Sequence, residues 1–449
     1  MDMRILALVA GLSLSALAAD AFATDLVPSG LPEPLTDQDF APIDPAEAEL
    51  GQLLFYDAIL SGNRNVSCAT CHHPRFATGD GLSLGIGDGG LGLGPERVAD
   101  IDNLPEQRIP RNSPPLFNLG AKEMTVLFAD GRIEVDPERP SGLRTPLEEE
   151  MVEGFASLLS AQTMFPVLSP DEMAGHYGEN DVSTAVRQGR LTGPGGAWSI
   201  LASRVAAIPA YAEAFAEISP EIAAGRPIDF TDISDAIAAF VAFEWRSDAS
   251  PFDKYLRDGT PLPDAAMKGM SRFYGSAGCA ACHSGPLLTD HQFHAMGAPQ
   301  IGPGKAERFE SHQRDIGRMR VTGRPEDAYA FRTPSLRNVT RTGPWGHAGA
   351  HSDLADFLRD HAAPRAAITT YRLRAVLPDL DGIARDDAVL SDPEEVSAIA
   401  AAVDVADTHL DRDAIVELMA FLTSLEDPVA LQGRLGVPNS VPSGLPVER

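Results

Sequence analysis

The stretch Cys68-Ala69-Thr70-Cys71-His72 decides how the rest of this chain is read. The spacing C-x-x-C-H is the attachment signature of c-type haem. Two thiols add across the porphyrin vinyl groups, and the adjacent imidazole reaches the iron from one side. The pattern recurs once, at Cys279-Ala280-Ala281-Cys282-His283, and the two copies use all four cysteines of the chain. A zinc site is usually closed by four ligands from paired knuckles, and a dithiol redox pair has no need of a following histidine. Two covalently bound c-type haems are therefore expected, with His72 and His283 each on an iron.

Outward from these motifs, 449 residues are enough for two to three ordinary domains. Arg4 precedes an apolar run from Ile5 to Ala19, and Ala21-Phe22-Ala23 is a small-residue cleavage site, so residues 1–23 read as a cleaved export signal. The run is short for a membrane span, and no later stretch is apolar enough to be one. A periplasmic protein with no membrane span in the mature chain is expected, which agrees with thioether attachment outside the cytoplasm. With no spare cysteine there is no disulfide framework, despite the oxidising compartment. The formal net charge of −28 argues against nucleic acid or an anionic membrane surface, and suits a soluble protein that steers a cationic partner.

The coarse pattern is mainly α, with two cytochrome c-like haem domains and long loops. A helix is predicted from Pro45 to Leu60 behind the cap Asp44, and it delivers the chain to the first motif. Gly81 to Pro95 is too glycine-dense for anything but a loop, and Leu127–Arg132 reads as a tight turn around Asp130-Gly131. Amphipathic helices are expected over Trp198–Ile218, Asp232–Trp245, Pro263–Tyr274, Ser352–His361 and Asp413–Leu425. Polar, Pro- and Gly-containing sequence around Asp248–Asp264 places the boundary between a first domain at 24–248 and a second at 249–430, with 431–449 as a tail. Phe55-Tyr56 and Phe273-Tyr274 precede the two motifs, and Thr78-Gly79-Asp80 and Thr289-Asp290 follow them, which suggests an internal duplication.

Beyond the haem motifs stand Arg111-Asn-Ser-Pro-Pro-Leu-Phe-Asn118, Phe128-Ala-Asp-Gly-Arg132, Gln162-x-x-x-Pro166 with Glu172-Met173, and Phe331-Arg-Thr-Pro-Ser-Leu-Arg-Asn338 through His347. Together these resemble the bacterial di-haem cytochrome c peroxidase / MauG family from about Pro45 to Leu425. The resemblance implies an H2O2-using oxidoreductase in which the first haem meets peroxide and the second stores or relays an oxidising equivalent. It implies that Glu172 is the distal proton shuttle, with Gln162 and Pro166 beside it. A positioned carboxylate suits that task, because breaking the O–O bond requires a proton to move from one oxygen to the other. It also implies a Ca²⁺ ion held by the Asn112 side chain and the carbonyls of Thr342 and Pro344, an oxygen-only set that fits a hard cation.

Three departures from the family pattern matter. No histidine lies between His73 and His176, the interval in which many of these peroxidases carry a removable ligand to the first haem. The first haem is then expected to be open without activation, with His176 the remaining rival. Seventeen residues past Pro344, where the peroxidases have Met and the MauG branch has Tyr, stands His361, with His351 as the alternative. Ala129 occupies the place of the family's inter-haem tryptophan. The expected reductant is a small periplasmic carrier, a cytochrome c or a cupredoxin. The alternatives are MauG-like oxidation of side chains on a partner protein, and a non-catalytic di-haem electron-transfer cytochrome.

Overall fold

The computed structural model describes residues 30–305, 313–380 and 385–449. The export signal expected at 1–23 lies outside the described residues. Helices joined by long loops dominate, and the strands are two or three residues long, paired in small antiparallel ribbons.

Each haem motif sits behind a pair of crossed helices. In the first unit Pro45–Phe55 packs on Phe230–Glu244, and in the second Asp264–Phe273 packs on Arg412–Thr423. Asp44 caps the first of these by accepting the Ala46 N–H at 2.9 Å, with Pro45 at the first helical position. Both crossings are made on a glycine. A Cβ on Gly51 would stand 1.8 Å from the Ala236 carbonyl oxygen, and one on Gly269 would stand 1.9 Å from that of Glu417. Only a hydrogen fits at either place, so the helix backbones touch.

The aromatic residues after each glycine repeat the same cluster. Phe55 and Tyr56 lie 5.2 Å and 6.2 Å from Phe240, while Phe273 and Tyr274 lie 5.1 Å and 6.1 Å from Phe421. Asn118 and Asn338 both take left-handed backbone angles, φ 58° and 60°, which Asn tolerates better than most residues. Their N–H groups bond to Trp245 and Leu425, each just beyond the second helix of its pair. Two aromatic pairs and a few shared letters in the sequence thus mark a duplication that runs through the whole framework.

Three expectations change in the structure. The helix predicted over Pro45–Leu60 ends at Phe55, and Ala58–Leu60 is a separate 3-10 turn capped by Asp57. The helix predicted over Trp198–Ile218 is two helices, Ala197–Ala206 and Pro209–Ile218, because Pro209 supplies no N–H and starts a new first turn. The tail at 431–449 returns to the first unit. The buried Glu244 carboxylate accepts the backbone N–H groups of Arg434, Leu435 and Gly436 at 2.9, 2.6 and 2.9 Å. Farther on, Ser443 donates to Asp57 at 2.7 Å, and Glu448 accepts from the hydroxyl of Thr70, inside the first motif.

The units are joined by buried charges. Arg111 makes a two-pronged pair with Asp315 at 2.7 and 2.8 Å and also meets Asp130 at 2.8 Å. Arg318 reaches back to Glu134 at 2.8 Å and covers the ring of Phe293. Such pairs contribute little net stability, but removing one partner strands the other, so they fix how the units sit.

Gly51→Ala and Gly269→Ala each force the helices apart, and each is expected to cost about 2–4 kcal/mol, on the scale of overpacked cores. Thermal unfolding of the haem-loaded protein checks this. A change at either position as mild as a surface substitution would contradict the close crossing.

Candidate functional site

Both motif histidines are aimed by the same device. His72 and His283 donate from Nδ1 to the carbonyl oxygens of Thr78 and Leu288, at 2.9 and 3.1 Å. Thr78 and Leu288 present those oxygens from left-handed conformations, φ 68° and 56°. With Nδ1 engaged, Nε2 is the nitrogen left to meet a metal, and a fixed tautomer strengthens it as a ligand. Burial holds both rings below the ordinary histidine range, hence neutral at physiological pH. In the first unit Ser113 adds a bond to the Cys71 carbonyl at 2.6 Å and lies 3.2 Å from His72 Nδ1. Burial pushes the Cys68 thiol up to about 12 and that of Cys279 to about 11, so both are uncharged.

The far sides of the two sites differ. In the second unit the helix Leu354–Ala362 points His361 at His283, with ring centroids 6.4 Å apart. Two metal–imidazole bonds of about 2 Å, plus the ring radii, span roughly this distance. Phe357 stacks on His361, and burial brings the ring down to about 4, again the neutral form that a metal needs. His351 is placed otherwise: its Nε2 meets Asp360 at 2.8 Å and its ring packs against Tyr371.

In the first unit Gln162 lies in the last turn of the helix Leu158–Thr163, Pro166 starts a 3-10 turn, and Glu172 lies in a π-helical turn, Pro170–Ala174. Consecutive backbone bonds link the three: Phe165 to Gln162, Ser169 to Pro166 and Glu172 to Ser169. Single π turns often occur where a side chain has to be aimed. Burial raises the Glu172 carboxyl above its usual range, opposed by Lys305, Arg132 and a hydrogen bond from Ser169. Lys305 and Arg132 come from distant segments, and no spacing in the sequence links them to Glu172. His73 turns away from this side, its Nδ1 accepting the Arg75 N–H and its ring edge-on to Tyr56. His176 is paired through Nδ1 to Glu179 at 3.2 Å.

Asn112 and Thr342 line one recess together with Asp80, Ser113 and Gly343, the neighbour of Pro344. Asn112 donates Nδ2–H to the Leu82 carbonyl at 2.7 Å, which leaves Oδ1 as an acceptor. Asp80 is buried and its carboxyl is pushed up to about 7. The sequence offered only its place after Thr78-Gly79 as a signal.

Comparison with known proteins agrees with this geometry. The family profile "Di-haem cytochrome c peroxidase" matches residues 45–260. The methylamine utilization protein MauG of Methylorubrum extorquens is 30% identical over 337 residues, covering 74% of this chain and 72% of its own. The chain belongs to the di-haem cytochrome c peroxidase family. Cytochrome c551 peroxidase of Pseudomonas aeruginosa is 28% identical over 326 residues, covering 73% of this chain and 74% of that one. Among solved structures, the di-haem peroxidase BthA from Burkholderia thailandensis shares the fold, with a TM-score of 0.55 at 22% identity over 95% of this chain and 97% of that chain. A MauG-like protein associated with microbial copper homeostasis scores 0.55 at 23% identity, covering 92% and 97%.

As a member of this family the chain is an oxidoreductase of the cytochrome-c peroxidase type with two c-type haems. Its residues fit that cofactor. Among the described residues, Tyr56 Oη, Tyr274 Oη and both ring nitrogens of His347 are buried without a hydrogen-bond partner. Buried polar atoms are rarely left so; the fit to haem itself rests on the two C-x-x-C-H motifs, each with a neutral imidazole held through Nδ1. No helix among the described residues is long and apolar enough to cross a membrane.

His361→Ala is expected to open the second iron, so that its low-spin spectrum is lost and returns on adding imidazole. His351→Ala, made in parallel, should leave that spectrum unchanged. Absorption spectra of the two variants decide between the histidines.

Proposed function

We propose that the first unit reduces H2O2 and that the second holds a closed, electron-storing haem. Cys68, Cys71 and His72 would attach and ligate the first haem, and Cys279, Cys282, His283 and His361 the second. The observation that carries this reading is the contrast between the two far sides, a buried carboxyl in one unit and an imidazole facing His283 in the other. When bound, the first haem iron supplies the position at which the peroxide O–O bond is broken.

Glu172 does the proton work. Its carboxylate takes the proton from the peroxide oxygen nearer the iron and returns it to the departing one, which leaves as water. Lys305 and Arg132 favour the charged form that this first transfer needs. Gln162 is the hydrogen-bonder that orients the bound oxygen, and Pro166 shapes the wall beside it. Electrons come from a small redox carrier, cytochrome c or cupredoxin, in the periplasm after export on the 1–23 signal. The absence of histidine between His73 and His176, together with a second haem without methionine, favours oxidation of a partner protein's side chains as the second reading.

Glu172 must be ionised to accept a proton, and burial raises its pKa. The peroxide reaction is therefore expected to accelerate as pH rises through a midpoint above the ordinary carboxylate range. Glu172→Gln should slow it by about 10²–10⁴ and remove that pH dependence. Stopped-flow mixing of the oxidised protein with H2O2, without prior reduction, measures both. An unchanged rate would remove Glu172 from the mechanism.

Ca²⁺ is the ion we assign to the Asn112 recess, with Asn112 Oδ1 and the carbonyls of Thr342 and Pro344 as its ligands and Asp80 as the nearby charge. A cation needs the Asp80 carboxylate ionised, so affinity should fall as pH drops through about 7, with proton release on binding. Calorimetry in two buffers of different ionisation heat tests this, and Asp80→Asn should abolish the linkage.

A further inference from the structure

His176, a little beyond Glu172 in the chain, has one ring nitrogen engaged and the other without a partner. Nδ1–H donates to Glu179 Oε1 at 3.2 Å. Nε2 is buried and makes no hydrogen bond. In that tautomer Nε2 carries the lone pair, and a buried acceptor left so is uncommon in a folded protein. The same pattern, Nδ1 held and Nε2 presented, marks the two histidines of the C-x-x-C-H motifs.

Two carboxylates stand beside this ring. Glu106, Asp171 and His176 each bring one ligand atom within 4.8 Å of the other two. Ligands about 2.0–2.2 Å from a shared ion lie about 3–4 Å from one another, so this spacing is close to that of a coordination shell. Two carboxylate oxygens and an imidazole lone pair have one partner in common, and that partner is a cation.

The surroundings hold these groups in place. Gln107 Nε2–H donates to Asp171 Oδ2 at 2.7 Å, which joins the segment of Glu106 to the π turn. Behind the ring, Glu179 Oε2 accepts the His176 backbone N–H at 2.8 Å and Asn63 Nδ2–H at 2.6 Å. Asn63 also donates to Asp88, a carboxylate only 1% exposed. Gly175 lets this support close up against the loop: it takes φ 83°, and a Cβ there would stand 2.7 Å from Asn63 Nδ2 and 2.9 Å from Glu179 Oε2. A carboxylate behind an imidazole fixes the ring and makes it a better metal ligand.

We propose that Glu106, Asp171 and His176 Nε2 form a binding site for a divalent transition metal ion of the Zn²⁺ class, with Glu179 orienting the ring. Ca²⁺ and Mg²⁺ take oxygen ligands, whereas an imidazole nitrogen with carboxylates suits Zn²⁺ and its neighbours. The site therefore differs in kind from the oxygen-only recess at Asn112. Glu106 is exposed, so the ion enters from solvent, and three protein ligands leave it one open position. An ion there ties the segment at 106–107 to the turn of Asp171 and to the loop after it. The proposal does not rest on the peroxidase reading.

Calorimetry of the haem-loaded protein with Zn²⁺, in excess Ca²⁺ and Mg²⁺, is expected to show one tight equivalent. His176→Ala should remove it. Glu106→Gln, a change at an exposed position that leaves the fold alone, should weaken it tenfold or more, and Glu179→Ala should weaken it about 10–100-fold. His294→Ala, which removes the rival pair with Asp290, should leave it unchanged. X-ray absorption at the zinc edge should show one imidazole on the metal, lost in His176→Ala. Absence of tight binding, equal competition by Ca²⁺ or Mg²⁺, or parent-like affinity in either His176→Ala or Glu106→Gln overturns the proposal. So does a loss that follows His294 instead, or a zinc shell without imidazole. Binding is measured without H2O2, so a protein that binds Zn²⁺ as expected but fails to react with peroxide defeats the peroxidase reading and leaves the metal site standing.

Discussion

An imidazole tethered next to two covalent anchors is useful only if its ring is aimed, and in both units one hydrogen bond does the aiming. Nδ1–H of His72 or His283 meets a backbone carbonyl whose residue has been driven into the left-handed region. That conformation is strained for Thr78 and Leu288, neither of which is glycine. It persists because the surrounding structure holds it: Leu116 N–H bonds to the Thr78 hydroxyl, and the Thr289 hydroxyl bonds to the Thr333 carbonyl. Those holders belong to the two related segments at 111–118 and 331–338, each ending in a left-handed asparagine tied to the end of the second crossed helix. The glycine crossings, the asparagine ties and the aimed imidazoles are therefore one constraint expressed in three places, and the chain satisfies it twice.

On that repeated frame, function depends on where the copies diverge. The second unit sets a helix bearing His361 opposite His283. The first uses a loop, a 3-10 turn and a π turn to present a carboxyl, and it recruits Lys305 from the other unit to oppose the cost of burying it. Burial raises the Glu172 carboxyl above its usual range, and Lys305 and Arg132 oppose that rise. The proposed proton shuttle draws on both influences, since such a group has to take a proton and return it.

Much of this was legible in the sequence where chemistry is local. The C-x-x-C-H motifs, the cap at Asp44 and the helix that carries His361 all depend on residues close in the chain. Pro209 carried the signal for the break in the long helix, but the apolar period on either side masked it. The depth of the duplication was hidden because Gly51 and Gly269, or Asn118 and Asn338, are single letters whose meaning lies in what they touch. Lys305, Arg132 and Asp80 could not be assigned because they reach their sites through topology, from segments with no periodic relation to Glu172 or Asn112. The tail looked uninformative for the same reason: its partners, Glu244, Asp57 and Thr70, lie hundreds of positions away.

Ala129 gains meaning from the packing around it. Its carbonyl accepts the Arg332 N–H at 2.8 Å, while Phe128 takes φ 65° and lies under the Arg132 guanidinium at 4.0 Å. Beside it, Gly131 is pressed by Phe293 and Arg318. The strip between the units is thus filled by arginines held in ion pairs, with Phe293 and the stacked Phe331–His347 pair at its edges. Guanidinium groups are always charged and are not electron carriers. They fix distance and orientation between the two halves without providing an aromatic stepping stone at position 129.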